Sequence, residues 1–176
     1  VGNLSISRND KLAAVPALPL VSTTNLAKVD QCPALTDLSG WSNLETLTNF
    51  LMLTKTGLTA IDVFAKLSSV GGFMINENPS LTVVGGFSSL TAVSGSVQAN
   101  DNPELTSVVF PELLTLGGDV TVTGNLKLGT LAAPQLGAIG KWFTVQDSQQ
   151  PVALDFGNVT TIGSDLRFGF NSATPE

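Results

Sequence analysis

Hydrophobic positions recur along this chain at intervals of 23 or 24 residues. Leu12, Leu35, Leu58, Leu81, Leu105, Leu128 and Val152 form one column. Leu44, Leu67, Leu90, Leu113, Leu136 and Val159 form a second, and Leu47, Val70, Val93, Leu116, Ile139 and Ile162 a third. An aromatic column runs Trp41, Phe64, Phe87 and Phe110, drops to Ala133 and returns at Phe156. The phrase NENPSLTVVGGFSSL at 76–90 is echoed by NDNPELTSVVFPELL at 100–114. Self-similarity at a fixed period of this length marks a stacked-repeat architecture, in which each unit buries its apolar face only against its neighbours.

Within a period the apolar residues alternate. Leu4/Ile6, Phe50/Met52, Phe73/Ile75, Val120/Val122 and Phe143/Val145 each skip one residue, the pattern of a half-buried strand whose named pair faces inward. Gly71-Gly72, Gly95, Gly117-Gly118, Gly140 and Gly163 punctuate the periods, where a tight turn leaves no room for a side chain. No stretch carries a sustained 3.6-residue apolar stripe, so few helices are expected. The pattern predicts an all-β parallel β-solenoid of about eight coils with a 23–24-residue repeat, running through 1–176 as a single domain.

A polar column lies three residues before the first Leu column: Asn9, Cys32, Lys55, Asn78, Asn102, Asn125 and Gln149. An inward Asn at a coil corner has two donors and an acceptor with which to satisfy backbone groups that no strand ladder reaches. Asn9, Cys32, Asn78, Asn102 and Asn125 are read as such a ladder, Cys being a substitute in it, with Lys55 and Gln149 as interruptions. The chain has no histidine, so a Cys–His nucleophile pair is ruled out.

Composition narrows the partners. Hydrophobic residues make up 43% and charged residues 12%, with a net charge of −6. The eight Lys and Arg are scattered and form no basic stripe, which argues against nucleic acid and anionic membrane surfaces. No apolar run approaches the ~18 residues of a membrane span. One cysteine excludes an internal disulfide framework. Asn3-Leu4-Ser5 and Asn158-Val159-Thr160 are acceptor triplets for N-glycosylation, making Asn3 and Asn158 candidates in a secretory setting.

Taken together, the phrase G-x-L-x-I-x-x-N-x-x-L-T-x-L/V-x-x-F/L-x-x-L-x-x-V-G resembles the receptor L-domain repeat, a relative of the leucine-rich repeats. Asn-Pro-x-Leu-Thr with Val-Gly-Gly closure is closer still to GPI-anchored fungal cell-wall proteins of the sporulation-specific type and to similar protist and bacterial surface proteins. The resemblance spans Gly2 to Asn171. It implies a right-handed solenoid and an extracellular or cell-surface location. The disulfide-rich modules that flank the receptor domains are absent here, and Lys55 and Gln149 depart from the Asn pattern.

Several residues carry two readings. Glu77 and Asp101 share a column in adjacent coils and are either solvated corner carboxylates or, with Asn100, part of a calcium site. Trp142 precedes an inward Phe143 and so points outward, as ordinary surface or as an interface anchor. Thr46, Ser69, Ala92, Thr115, Ala138 and Thr161 make an outward column of small residues, a surface type also seen in ice-binding solenoids. Val1 to Ile6 reads as a core strand. The last coil halts at its Asn position, so Leu166, Phe168 and Phe170 are interface candidates facing whatever comes next. The expectation is a segment of a longer or assembled extracellular structure. Its role is structural or adhesive, without enzymatic activity or cofactor, toward a protein or glycan partner or by self-assembly. A polysaccharide-binding or polysaccharide-degrading solenoid and an ice-binding protein are the alternatives.

Overall fold

The computed structural model describes residues 2–18 and 23–170, apart from the side chains of Thr23 and Phe170. Val1 and Asn171, invoked above, therefore lie outside the described residues, as does the side chain of Phe170.

The chain winds as a parallel β-solenoid. One long sheet takes a rung from every coil: β1 (Asn3–Ser7), β3 (Leu26–Cys32), β4 (Thr46–Thr56), β6 (Ser69–Asn76), β9 (Val97–Asn100), β12 (Val120–Thr123), β15 (Phe143–Ser148) and β18 (Leu166–Phe170). Successive rungs pair in parallel. Leu4, Ala27, Leu51, Phe73, Val97, Val120, Phe143 and Leu166 stand in one column through these pairings, at steps of 22 to 24 residues. Eight rungs enclose about seven turns.

Two further rows complete each coil. Short strands β2 (Thr23–Thr24), β8 (Ala92–Val93), β11 (Thr115–Leu116), β14 (Ala138–Ile139) and β17 (Thr161–Ile162) align with the first residues of β4 and β6. A second sheet stacks β5 (Ala60–Ile61), β7 (Val83–Val84), β10 (Ser107–Val109), β13 (Thr130–Ala132) and β16 (Ala153–Asp155). Among the described residues the one helical element is a 3-10 turn at Ser39–Trp41.

The predicted columns are the core. Leu35, Leu58, Leu81, Leu105 and Leu128 are buried, as are the five Leu from Leu44 to Leu136. Phe64 and Phe87 stack with ring centroids 5.8 Å apart, and Phe110 follows at 5.4 Å from Phe87. Phe73 of β6 enters the same stack, 5.1 Å from Phe87 and 5.3 Å from Phe110. At the Ala133 gap only a void of about 10 Å³ remains, no larger than the ~10–15 Å³ that one water requires.

The glycine corners answer to coil spacing. The Gly95 N–H donates to the Gly71 carbonyl at 2.6 Å, and Gly118 to Gly95 at 2.9 Å. A Cβ on Gly140 would run into the Gly117 backbone, and one on Gly163 into Gly140. Neighbouring backbones pass too closely here for any side chain.

One strand departs from the predicted alternation. In β4 the inward pair is Leu51/Leu53, fully buried, whereas Phe50 and Met52 lie half-buried on the outer face. A register shift between Leu47 and Phe50 inserts extra chain at this corner. A slip of one residue transfers every side chain to the opposite face. The Phe50 ring lies against Gly72, whose Cβ would meet its Cε1 at 2.6 Å.

Candidate functional site

Each coil turns a corner immediately after its long rung, and the corner is built from two residues. The first is left-handed: Arg8, Gln31, Lys55, Glu77, Asp101 and Asp147 have φ between 54° and 60°, and Gly124 has 68°. For a residue with a Cβ this conformation costs about 1–2 kcal/mol, so something must over-determine it. Part of the answer is a backbone bond to the next coil: the N–H of Glu77 donates to the Asn100 carbonyl at 3.0 Å, and that of Asp101 to Thr123 at 2.9 Å. The other part is the residue that follows, which the kink turns into the interior.

That second residue forms a buried ladder: Cys32, Thr56, Asn78, Asn102, Asn125 and Ser148. Asn102 Oδ1 accepts from the Asn78 N–H at 3.0 Å, while its Nδ2 donates to the carbonyls of Ile75 at 2.9 Å and Asn100 at 3.1 Å. Asn78 does the same for Thr56 N–H, Leu53 O and Asn76 O, and Asn125 for Asn102 N–H, Ala99 O and Thr123 O. Every ladder amide therefore reaches back toward the N-terminal coil. Asn9, expected in this ladder, is exposed, and its Oδ1 accepts from Lys11 N–H at 3.2 Å. The Cys32 thiol is buried and points to the Asp30 carbonyl at 3.5 Å.

The two interruptions read at Lys55 and Gln149 are not interruptions. Lys55 is the left-handed residue, and Thr56 takes the ladder position, paired with Cys32. At the other end Ser148, not Gln149, is buried, its Oγ donating to Leu128 O and Gln150 O at 3.0 Å each. Coil length varies by one residue at these corners, and a constant spacing cannot follow it.

A second polar ladder escaped the sequence reading. Asp30, Thr54, Asn76, Asn100 and Thr123 stand in one column, one residue beyond the inner pair. Thr54 Oγ1 donates to Asp30 Oδ1 at 2.7 Å, Asn100 N–H to Asn76 Oδ1 at 3.0 Å, and Thr123 Oγ1 to Asn100 Oδ1 at 3.0 Å. The Thr54 bond, aided by Lys28, holds the Asp30 carboxyl below its ordinary range. Asp37 is lowered likewise by the Ser39 backbone N–H at the 3-10 turn. Both shifts belong to coil construction. The signal for this ladder was the recurrence of Thr and Asn immediately before the left-handed positions Lys55, Glu77, Asp101 and Gly124.

Glu77 and Asp101 do share the left-handed column. Glu77 is ion-paired to Lys55 of the preceding coil at 3.3 Å, and the Asp101 carboxylate occupies the space a Cβ on Gly124 would need. Among the described residues no three His, Cys, Asp or Glu gather into a group that could hold a metal ion.

The outer face of the long sheet is mostly polar toward its C-terminal half, carrying Gln98, Asn100, Thr121, Thr123, Thr144 and Gln146. Ser96, Asp119 and Trp142 occupy successive rungs of one outer column: Ser96 Oγ donates to Asp119 Oδ2 at 3.3 Å, and Trp142 N–H donates to Asp119 Oδ1 at 3.1 Å. Arg167 lies 4.4 Å from the centre of the Trp142 ring and is ion-paired to Asp165 at 3.5 Å. Trp142 nevertheless remains 38% exposed. Thr121 and Thr144 flank it on the adjoining column.

Asn3 and Asn158 are both exposed. Asn3 Oδ1 accepts from Asn25 Nδ2 at 2.9 Å, and Asn158 Nδ2 donates to the Pro134 carbonyl at 3.0 Å. The small-residue column from Thr46 to Thr161 faces outward beside the glycine corners, and its first three members border an open groove of about 280 Å³. At the last coil, Leu166 and Phe168 border an apolar groove of about 230 Å³, and Phe168 packs edge-on against Phe143 at 5.7 Å.

No family model matches the chain, and neither the curated proteins nor the solved structures contain a match. The class defined by the fold is the parallel β-solenoid.

Proposed function

We propose that this solenoid is a non-enzymatic extracellular module, structural or adhesive, that presents the outer face of its long sheet to a glycan or protein at a cell surface. The resemblance to receptor L-domains and to sporulation-specific cell-wall proteins supports the location. The observation that carries the reading is Trp142: a tryptophan 38% exposed at the start of β15, on an outer face otherwise lined there by Ser, Thr, Asp and Arg. An exposed indole ringed by hydrogen-bonding groups is a surface suited to a partner with an apolar face and a polar rim. A pyranose has both, its C–H face against the ring and its hydroxyls toward Asp119, Asp165 and Thr144. Among the two partner chemistries, a glycan is the one this geometry favours.

The test is retention of the chain on cell-wall polysaccharides and a glycan array, compared with Trp142→Ala. Binding by the native chain that is lost in the variant, with unchanged thermal unfolding, is the expected result. Absence of glycan binding, or binding indifferent to Trp142, overturns the glycan reading. Capture of a protein ligand that depends on Trp142 would move the partner to the protein class.

A further inference from the structure

The register slip in β4 brings both methionines of the chain to one spot on the outer face of the long sheet. The sequence holds three sulfur-bearing residues, Cys32, Met52 and Met74. Cys32 is fully buried in the corner ladder. Met52 and Met74 are register partners on the adjacent rungs β4 and β6, and both are half-buried. Each stands between two buried inward residues, Leu51 and Leu53 for the first, Phe73 and Ile75 for the second, so alternation turns both away from the core. Parallel rungs lie ~4.8 Å apart, which sets the two thioether side chains next to one another. The half-buried Phe50 precedes them on the neighbouring outer column, opposite Gly72. The methionine column itself continues as Gln98, Thr121 and Thr144, so the apolar character of this face ends with the pair.

We infer that Met52 and Met74 form a peroxide-sensitive modification site, at which the folded chain takes up two oxygen atoms without losing its core. In each step the thioether sulfur gives an electron pair to one oxygen of hydrogen peroxide. An S–O bond forms and the O–O bond breaks. The second oxygen leaves as hydroxide and takes the proton from the first, so sulfur is oxidised to the sulfoxide and peroxide is reduced to water. The product is polar where the thioether was apolar, a change that disrupts packing when it falls inside a core. Here the packing belongs to Leu51, Leu53, Phe73 and Ile75, none of which carries sulfur. Oxidation therefore converts the apolar stretch of the outer face to the polar character of Gln98, Thr121 and Thr144, and leaves the interior alone. The buried Cys32 is shielded from the same reagent. Simple alternation would have kept Met52 inside, where its oxidation would unfold the coil. The inference thus follows from the register shift between Leu47 and Phe50. It is independent of the Trp142 reading, which concerns other rungs of the sheet.

The experiment treats the folded 176-residue chain with hydrogen peroxide. Intact and peptide masses, circular dichroism and retention on a hydrophobic-interaction column are then read. The expected result is uptake of one oxygen at Met52 and one at Met74, none at Cys32, unchanged dichroism and earlier elution. Met52→Leu and Met74→Leu should each take up one oxygen, and the double variant none. Either methionine staying unmodified, while an unstructured methionine peptide in the same solution is fully converted, overturns the inference. Loss of dichroism on oxidation overturns it too, because the sulfurs would then belong to the core. So does uptake at Cys32 in the folded chain, which would mean that peroxide reaches the interior, or elution that does not change, which would mean that the pair does not face outward.

Discussion

Asn78 Oδ1 accepts two hydrogen bonds from Thr56 in the preceding coil, the backbone N–H at 3.0 Å and the hydroxyl at 2.7 Å. One buried amide thus closes the corner of a different coil, and the next ladder residue, Asn102, does the same for Asn78. The ladder couples coils in addition to their strand pairing, stacked apolar columns and the outer Asp30–Thr123 ladder.

Removing one member should therefore be felt on both sides. Asn102→Ala leaves the Asn78 N–H and the Ile75 and Asn100 carbonyls without their partner. At about 1–3 kcal/mol for each buried polar group left unpaired, a loss of about 3–5 kcal/mol is expected in urea unfolding. Asn9→Ala, at the exposed start of the column, should change stability by less than about 0.5 kcal/mol.

The aromatic stack makes a graded prediction. Phe87 is fully buried and touches the rings of Phe64, Phe73 and Phe110. Phe87→Ala should cost about 3–5 kcal/mol through lost transfer energy and the cavity left behind. Phe156 is only half-buried beside the Ala133 gap, with Phe143 as its aromatic neighbour. Phe156→Ala should cost visibly less in the same denaturant titration, and a reversed order would refute the assignment of the stack as the core.

Coil spacing predicts which glycines tolerate a methyl group. Gly140→Ala drives Cβ into the backbone of Gly117, where no rotamer change gives relief. The variant should lose several kcal/mol, on the order of the larger single-site effects known, or fail to fold. Gly129→Ala meets nothing nearer than the Thr106 carbonyl at 3.8 Å and should be near neutral. Thermal melts of the two variants separate them.

The Asp30–Thr54 bond predicts a pH signature. The folded carboxyl titrates below its unfolded value, which lies near 3.9. A depressed carboxylate stabilises the fold at pH above the unfolded value, and that contribution is lost as pH falls through the folded one. Thr54→Val removes the hydroxyl donor, so its melting temperature should fall less steeply than that of the native chain below about pH 4. Parallel acid limbs for the two proteins would show that the bond contributes nothing.

The repeat, the parallel stacking and most of the core columns were set by the sequence alone, since each coil must present the same residue types to its neighbours at nearly the same interval. Leu81, Phe87 and Leu90 are legible from spacing because their burial is decided by that repetition. The tertiary structure decided what happens where the interval changes by one residue. Thr56 and Ser148 took ladder positions that regular spacing assigns to Lys55 and Gln149, and Leu51/Leu53 displaced Phe50/Met52 from the interior. In each case a corner one residue longer or shorter re-aims the following side chains, and only the backbone path records which corner absorbs the difference. The outer Asp30–Thr123 ladder and the exposure of Leu154 and Leu166 likewise depend on which atoms the neighbouring coil brings within reach, a relation between coils that no single repeat contains.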